Sequence, residues 1–426
     1  MHARVLAVAA LAAAAVAVLA TVPGAAGGSG ATRSLDASTQ FYVPGFEQDA
    51  KQQWAKLISQ GERQKADLLA AMENTSHAVW LTGGSPNDVR VDAQTTTHKA
   101  EAKNQVPVFV LYDLPFRDCA QYSAGGATDT AAYEAWIDGV VRGIGSHEAV
   151  VLLEPDGLGL IPYNVDINGN TEWCQPDLTG TGLTPATANQ ARYVQLDYAV
   201  DALEALPNVR VYLDGTHSGW LGVGDAAQRL FKAGVERAQG FFVDVSNYQT
   251  TERQMKYGTW ILKCIWFGSP NSGSWGSGHF DWCASQYYPA SPGDFSTWTL
   301  TDQWYTNNVE SQTWVPYPGA DGLSHFVVDT SRNGQGPWTP TTSYPDPQDW
   351  CNPPGRGLGL RPTADTGDPF IDAYLWVKTP GQSDGSCTRG LAGPTDPEWG
   401  IVDPPAGAWF PQQARQLAQL AEPPLQ

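Results

Sequence analysis

Short apolar runs alternate along the chain with longer stretches in which apolar residues recur every three or four positions. The short runs are rich in Val, Ile, Phe and Tyr and predict seven buried strands, over residues 77–81, 106–114, 149–153, 209–213, 240–245, 325–329 and 371–377. The longer stretches predict helices over residues 48–73 (weakened by Gly61), 130–144, 186–206 and 225–237. Because such alternation is typical of parallel sheets covered on both faces, we predict an α/β fold: a distorted, TIM-like parallel β/α barrel of about seven strands. A doubly wound open sheet is the alternative.

One segment, residues 251–322, interrupts this alternation. It shows little helical or strand periodicity, contains many Gly, Ser and Pro, and includes Cys264 and Cys283. It also holds seven of the seventeen tryptophans: Trp260, Trp266, Trp275, Trp282, Trp298, Trp304 and Trp314. A structureless loop of this length is unusual inside a domain and is often functional. We therefore predict a Trp-rich, disulfide-containing insertion, with a loop that merely packs on its own indoles as the alternative.

The N-terminus resembles a secretory signal peptide. A positive start at Arg4 precedes an apolar run from Val5 to Ala20, which is shorter than the ~20 residues needed to span a bilayer. We predict a signal peptide over residues 1–26, a short linker over 27–45, a single β/α-barrel catalytic domain over 46–415 and a C-terminal tail over 416–426. An uncleaved membrane anchor is the alternative. The mature protein is expected to be secreted and extracellular, without a membrane partner.

Composition narrows the possible partners and cofactors. The net charge of −19 argues against nucleic acid or an anionic membrane, since phosphate binding requires a basic surface. Six cysteines, none in a CxxC pair, predict three disulfides in an exported protein rather than a zinc site. The few histidines form no HxH or HxxxH pair. We therefore expect no metal and no cofactor, and we expect a monomer.

Carboxylates follow one predicted strand after another. They are Asp113, Asp118, Glu154, Asp156, Asp214, Asp244, Asp329 and Asp384. One such residue is usually a helix cap or a solvated loop residue, but several in register are harder to explain in that way. The carboxyl ends of the strands in a parallel barrel share one face, and active sites are built there. We therefore expect these carboxylates to converge among long active-site loops.

Converging carboxylates suit the hydrolysis of a glycosidic bond. Two carboxyls in one cleft cannot both ionise cheaply, so the pKa of one rises and that group remains a general acid. Tryptophans suit the same substrate, because sugar rings present apolar C–H faces that stack on indoles. A serine esterase is not favoured, since no GxSxG motif occurs.

Six stretches of the chain together resemble a known family. They are 110–126 (VLYDLPFRDCAQYSAGG), 150–156 (VVLLEPD), 213–220 (LDGTHSGW), 329–334 (DTSRNG), 350–351 (WC) and 375–385 (LWVKTPGQSDG). In this order they resemble glycoside hydrolase family 6, the inverting β-1,4-glucanases that include endoglucanases and cellobiohydrolases. The resemblance covers roughly residues 40–415.

The resemblance implies roles for individual residues. Asp156 would be the general acid, Asp118 would keep its pKa high and relay the proton from the attacking water, and Asp384 lies where the family's proposed base lies. Tyr112 would press on the sugar at the cleavage point. The remaining implied residues bind substrate: Asp214, His217, Trp220, Asn247, Trp350, Lys378 and Gln382. The implied disulfides are Cys119–Cys174 and Cys351–Cys387, which leaves Cys264–Cys283.

Three positions depart from the family pattern. Gly157 and Ala124 stand where serines are usual, and Gln382 replaces a glutamate that usually contacts substrate. The serine that the family usually has at position 124 would help to hold the catalytic water. The adjacent Ser123 is expected to point elsewhere. These changes place the route of the water in doubt.

We therefore expect a secreted β-1,4-glucanase that hydrolyses cellulose or a related β-glucan with inversion. Only two residues separate Asp384 from Cys387, so the C-terminal loop over the cleft is short and favours internal cleavage. The Trp-rich insertion could cover the cleft by another route. A cellobiohydrolase of the same family and a catalytically inactive glucan-binding protein are the alternatives.

Overall fold

Seven parallel strands form one continuous sheet in the computed structural model, which describes residues 35–313 and 315–425. The strands are β1 (Val79–Leu81), β2 (Val108–Leu111), β3 (Ala149–Leu153), β4 (Val209–Asp214), β5 (Gly240–Val243), β6 (His325–Asp329) and β7 (Ile371–Leu375). Each strand pairs with the next one along the chain. The predicted signal peptide and residues 27–34 of the predicted linker lie outside the described residues.

The sheet curls into a distorted barrel with a seam between its first and last strands. Within the described residues no ladder joins β7 to β1. The two strands nevertheless approach each other, because the Ala78 N–H donates to the Trp376 carbonyl (2.9 Å) and the Trp80 indole N–H donates to the Val377 carbonyl (2.9 Å). The predicted α/β barrel is confirmed, and the open doubly wound sheet is wrong.

Alternate residues of each strand pack on opposite faces of the sheet. In β3, Val150 and Leu152 join the apolar cluster that fills the barrel interior, whereas Val151 and Leu153 join the larger cluster against the outer helices. Both faces of the strand are buried. This double burial explains why the strands are continuous apolar runs rather than alternating apolar and polar residues.

Nine helices occur in the described part of the chain. They are α1 (Gln48–Ser59), α2 (Arg63–Glu73), α3 (Pro86–Glu101), α4 (Thr130–Ile144), α5 (Pro185–Glu204), α6 (Val223–Lys232), α7 (Thr251–Gly268), α8 (Trp298–Tyr305) and α9 (Pro411–Gln419). The helix predicted over 48–73 is two helices, because Gly61 adopts a positive φ of 78° between them. Helix α6 ends at Lys232, earlier than the predicted Arg237.

Helix α3 is absent from the sequence prediction because its buried positions are few and small. It begins with a capping box at Ser85, followed by Pro86. It packs closely on α4, where a Cβ on Gly143 would lie 2.5 Å from the Arg90 carbonyl oxygen. The close approach of the two backbones supplies the contact that large apolar side chains usually make.

The Trp-rich segment is not structureless, and that prediction is wrong. It opens with α7, where Trp260, Ile261 and Cys264 are buried at helical spacing against the sheet. Only residues 269–324 form an insertion in the alternation of strands and helices, and they contain α8. The Cys264–Cys283 disulfide ties this insertion to α7. The mixture of glycines and indoles concealed the helical period.

Helix α9 crosses the boundary that was predicted at residue 415. Leu417 and Ala418 are buried in a cluster with Leu57 and Leu69 of the N-terminal helices and Trp376. The start of the predicted tail is therefore part of the packed domain. In the described part of the chain, no helix is long and apolar enough to cross a membrane.

Candidate active site

A cleft of about 490 Å³ opens at the carboxyl ends of the strands. Nine of the eleven side chains predicted for the site line it: Tyr112, Asp118, Asp156, His217, Trp220, Asn247, Trp350, Lys378 and Asp384. These residues follow six different strands, from β2 to β7. The barrel therefore brings together residues separated by more than 250 positions in the sequence. Asp214 and Gln382 do not line the cleft.

Asp156 is half-buried in the tight turn after β3, with a positive φ of 61°. Burial raises its pKa well above the ordinary value, and the negative charges of Asp214, Asp118 and Asp384 raise it further. Lys378 acts in the opposite direction but does not compensate. The pKa of Asp156 is therefore shifted in the direction that favours its protonated form.

The turn that bears Asp156 is anchored by Glu154. The Glu154 carboxyl is fully buried and accepts hydrogen bonds from the backbone N–H groups of Asp113 (2.9 Å) and Leu114 (3.1 Å). These bonds join the end of β3 to the end of β2. Burial raises the pKa of Glu154 to about 8, although the two backbone bonds lower it. Both Glu154 and Asp156 have positive φ, a strained conformation that is typical of functional turns.

Asp118 and Tyr112 lie on the loop after β2, which Arg117 holds together. The Arg117 guanidinium donates to the carbonyls of Ser123 (2.8 Å), Thr82 (2.8 Å) and Tyr112 (2.6 Å). It also lies over the Tyr112 ring, 4.7 Å from the centroid. This single cation therefore fixes the backbone on both sides of Asp118. Sequence reasoning missed Arg117, although its planar five-donor fork suits such a role.

Ser123 points into the cleft, contrary to expectation. It lines the cleft beside Asp118, and its backbone N–H donates to the Asp118 carboxyl (2.6 Å). Its hydroxyl also hydrogen-bonds Asp118 and Tyr112. Burial raises the pKa of Asp118, and the bonds from Ser123 together with the charge of Arg117 oppose that rise. Ala124, in contrast, is exposed.

The groups around Asp384 favour its ionised form. Its Oδ2 accepts hydrogen bonds from Arg332 (2.9 Å), the Asn352 N–H (3.0 Å) and the Tyr248 hydroxyl (3.2 Å). Lys378 Nζ lies 3.3 Å from its Oδ1. Burial works against ionisation, but the two cations and the Asn352 bond hold the pKa of Asp384 below its ordinary value. Arg332 and Tyr248 thus belong to the site because they hydrogen-bond Asp384.

Most of the other strand-end carboxylates hold loops and do not face the cleft. Asp214 accepts from the N–H groups of Leu158, Gly159 and Thr216, and Asp329 accepts from those of Ser246, Ser331, Val377 and Lys378. Asp244 accepts from Gln249 and Gln254. Asp214, predicted to contact substrate, is buried here and does not line the cleft. The carboxylates converge as expected, but several serve as loop anchors.

Gln382 is directed away from the cleft. Its side-chain N–H donates to the Glu47 carboxylate (2.5 Å) at the start of α1. The amide predicted to contact substrate in place of the family's glutamate therefore pairs in this structure with the residue that precedes α1. His217, by comparison, lines the cleft, and burial lowers its pKa to about 4. It is therefore neutral near pH 7.

Aromatic rings line much of the cleft. Besides Trp220 and Trp350, the wall includes Trp80, Trp173 and Trp338. Trp80 meets Tyr112 edge to face, with 5.6 Å between ring centroids. Sequence reasoning missed these three rings. For Trp173 and Trp338 the available signal was a tryptophan within a polar or Gly/Pro-rich loop, where an indole has no core to fill, whereas Trp80 lies within β1.

All three implied disulfides are present: Cys119–Cys174, Cys264–Cys283 and Cys351–Cys387. The first lies directly after Asp118, and the third lies near Asp384. One group with metal-ligand spacing, Cys387, Asp396 and Asp403, occurs in the described residues, but Cys387 is disulfide-bonded and Arg389 pairs with Asp396. This group therefore does not resemble a metal site.

Comparison with known proteins identifies a family. The model of "Glycosyl hydrolases family 6" matches residues 36–421. Endoglucanase A of Thermobispora bispora is 30% identical over 81% of this chain and 55% of its own length. A probable 1,4-β-D-glucan cellobiohydrolase C of Neosartorya fischeri is 32% identical over 74% of this chain and 62% of its own length. The chain thus spans somewhat more than half the length of these two relatives.

A solved structure shares the fold over nearly all of the chain. It is the endoglucanase Cel6 from Mycobacterium tuberculosis in complex with methyl-cellobiosyl-4-deoxy-4-thio-β-D-cellobioside. It is 31% identical, aligns with a TM-score of 0.62, and is matched over 90% of this chain and 98% of its own.

Proposed function

This chain belongs to the glycosyl hydrolases of family 6, and from that premise we propose that it hydrolyses β-1,4-glucosidic bonds in cellulose or a related β-glucan with inversion. The observation that carries the proposal is the pairing of two unlike carboxyls in one indole-lined cleft. The elevated pKa keeps Asp156 protonated, whereas the cations beside Asp384 keep it charged. Three disulfides suit an oxidising compartment, and we propose that the protein is exported.

Asp156 acts as the general acid. It donates its proton to the glycosidic oxygen while the bond between that oxygen and C1 breaks, so the leaving chain departs as a neutral alcohol. Positive charge develops on the sugar ring, and the negative charges of Asp384 and Asp118 stabilise it. Tyr112, held against Trp80, presses on the ring at the cleavage point.

A water attacks C1 from the opposite face, and its proton passes toward Asp118. Asp384 is a weak acceptor, because its oxygens already interact with Arg332, Tyr248, Asn352 and Lys378. Asp118 is the better acceptor, since burial raises its pKa and makes it more basic. The Ser123 hydroxyl, which lies beside Asp118, can hold the water in place of the serine that Ala124 replaces.

We propose internal cleavage. None of the residues lining the cleft in the described part of the chain comes from the insertion at 269–324. The stretch from Asp384 to Cys387 is short. A long chain can therefore enter the cleft sideways. Exo cleavage is the second candidate, because a 32% identical relative is named a cellobiohydrolase.

The decisive experiment compares the native protein with Asp156→Asn on carboxymethyl cellulose and a soluble β-glucan. Native protein should release reducing sugar, and the variant should lose about 10²- to 10⁴-fold in kcat, the usual contribution of a general acid. Binding by both proteins with release by neither would favour the inactive glucan-binding alternative. Viscosity followed in the same reactions distinguishes internal cuts, which collapse viscosity early, from cleavage at chain ends.

A further inference from the structure

One turn of the insertion is bonded directly to the loop that forms one end of the cleft. The Gln286 side-chain amide donates to the carbonyls of Ser218 (3.1 Å) and Leu221 (2.9 Å). The Tyr287 hydroxyl donates to the Trp220 carbonyl (2.8 Å). The insertion therefore contacts the backbone of a residue whose indole lines the cleft.

The turn is held from behind as well. The carbonyls of Ala284 and Ser285 accept hydrogen bonds from the Tyr305 hydroxyl (2.9 Å) and the Thr301 hydroxyl (2.8 Å) of α8. The Ser285 N–H donates to the Tyr288 carbonyl (2.7 Å). Residues 284–289 therefore form a supported turn, and their side chains are presented from a fixed backbone.

The two tyrosines of this turn are exposed although their neighbours are not. Tyr287 is 44% exposed and Tyr288 is 81% exposed, whereas Ala284 and Gln286 are buried. The turn thus presents two aromatic rings to water from a fixed backbone. Exposed apolar area of this kind commonly marks a binding surface. Residues 284–290 contain no charged side chain. Such a surface suits an uncharged ligand.

The position of the turn beside Trp220 indicates which uncharged ligand this surface suits. A Cβ on Gly222 would lie 3.8 Å from the Tyr287 ring, which places this ring two residues beyond Trp220. Trp220 itself is fixed from the other side, because its indole covers Gly159. The Tyr287 ring therefore lies beside the loop that carries His217 and Trp220, both of which line the cleft.

We propose that Tyr287 and Tyr288 form a distal subsite that binds a further glucosyl unit of a long β-glucan chain, beyond Trp220. This inference rests on the proposed function, because the cleft must first hold a glucan. The tyrosine rings supply stacking faces for sugar C–H groups. The subsite contributes to the binding of long chains only, since a short oligosaccharide that fills the cleft does not reach the turn.

The test compares kcat/KM on a long soluble β-glucan with kcat/KM on cellotetraose. Tyr288→Ala should lower the value for the long glucan by about three- to tenfold, the order expected for one aromatic contact, and leave the value for cellotetraose unchanged. Tyr287→Phe keeps the ring and removes only the bond to Trp220. Trp282→Ala is the matched control, because Trp282 is also exposed on the insertion but stacks between Trp275 and His279.

Equal losses on both substrates, or no loss on either, would overturn the distal subsite while leaving the glucanase proposal intact. Loss of self-association in Tyr288→Ala, with unchanged kinetics, would show that a second copy occupies the surface instead. If the native protein cleaves neither substrate, the proposed function fails. Affinity electrophoresis in the long glucan then tests the turn alone, and equal mobility of native and Tyr288→Ala protein would refute it.

Discussion

Replacing Asp214 with Asn tests whether like-charge repulsion keeps Asp156 protonated. Asp214 does not line the cleft, yet its charge is the largest electrostatic influence that raises the pKa of Asp156. Burial raises the pKa of Asp214 itself to about 6, so its charge acts on Asp156 mainly above that pH. Asparagine has nearly the same shape as aspartate. Its amide oxygen can still accept some of the hydrogen bonds that the backbone N–H groups of Leu158, Gly159 and Thr216 donate.

The expected magnitude follows from Coulomb repulsion. Two like charges roughly 6 to 8 Å apart, at an effective dielectric constant of ~20, repel by about 2 to 3 kcal/mol. Sharing of protons between the carboxyls reduces this to about 1 to 2 kcal/mol, equivalent to about one pH unit in a titration midpoint. Removal of the charge makes Asp156 ionise more readily. The alkaline limb of activity should therefore move to lower pH.

The assay is kcat/KM on a soluble β-glucan across about pH 4 to 9, because its alkaline midpoint reports the acid of the free enzyme. Asp244→Asn is the matched control. Asp244 is also a buried strand-end carboxyl with a raised pKa, but Asp329 is its main charged neighbour. The control should leave the midpoint in place. An unchanged midpoint in Asp214→Asn, or an equal displacement in both variants, would refute the reasoning.

Two further predictions concern residues around the cleft. Burial raises the pKa of Asp403 to about 7. Between about pH 4 and pH 7 the folded protein therefore keeps a proton on Asp403 that the unfolded chain has lost. The free energy of unfolding consequently falls as the pH rises through this range. Asp403→Asn should reduce that fall by about 1 to 3 kcal/mol in urea unfolding at several pH values; an identical pH dependence would contradict the assignment. Arg117→Lys keeps the charge but loses the three-carbonyl fork, so kcat should drop about ten- to a hundredfold with little change in KM, as expected when Tyr112 is misplaced. A change in KM alone would show that Arg117 affects binding only.

Much of the barrel could be predicted because its strands are buried on both faces. Strands such as β3 are uninterrupted apolar runs, which no helix or exposed loop readily imitates. Helices α3, α7, α8 and α9 were not predicted, and α3 and α7 show why. In α3 the packing residues are small and the contact is backbone against backbone. In α7 the glycines and indoles that flank the buried face hid its period.

The site could be predicted only as a set of residues. The resemblance to the family identified Asp118, Asp156 and Asp384, and the cleft contains all three. Their protonation states were not readable from the chain, because Arg332 and Tyr248, which contact Asp384, come from other loops. The same limitation explains why the placements of Gln382, Asp214 and Ser123 were not foreseen.

By itself, the sequence determined which strands are buried, which loops carry carboxylates and which family the motifs resemble, because these properties depend on residues close together in the chain. Tertiary structure alone decided which carboxyl has a raised pKa, which has a lowered pKa and which anchors a loop. Those roles depend on burial and on charges contributed by distant segments, and a pKa responds to the distance between groups in space rather than to their separation in sequence.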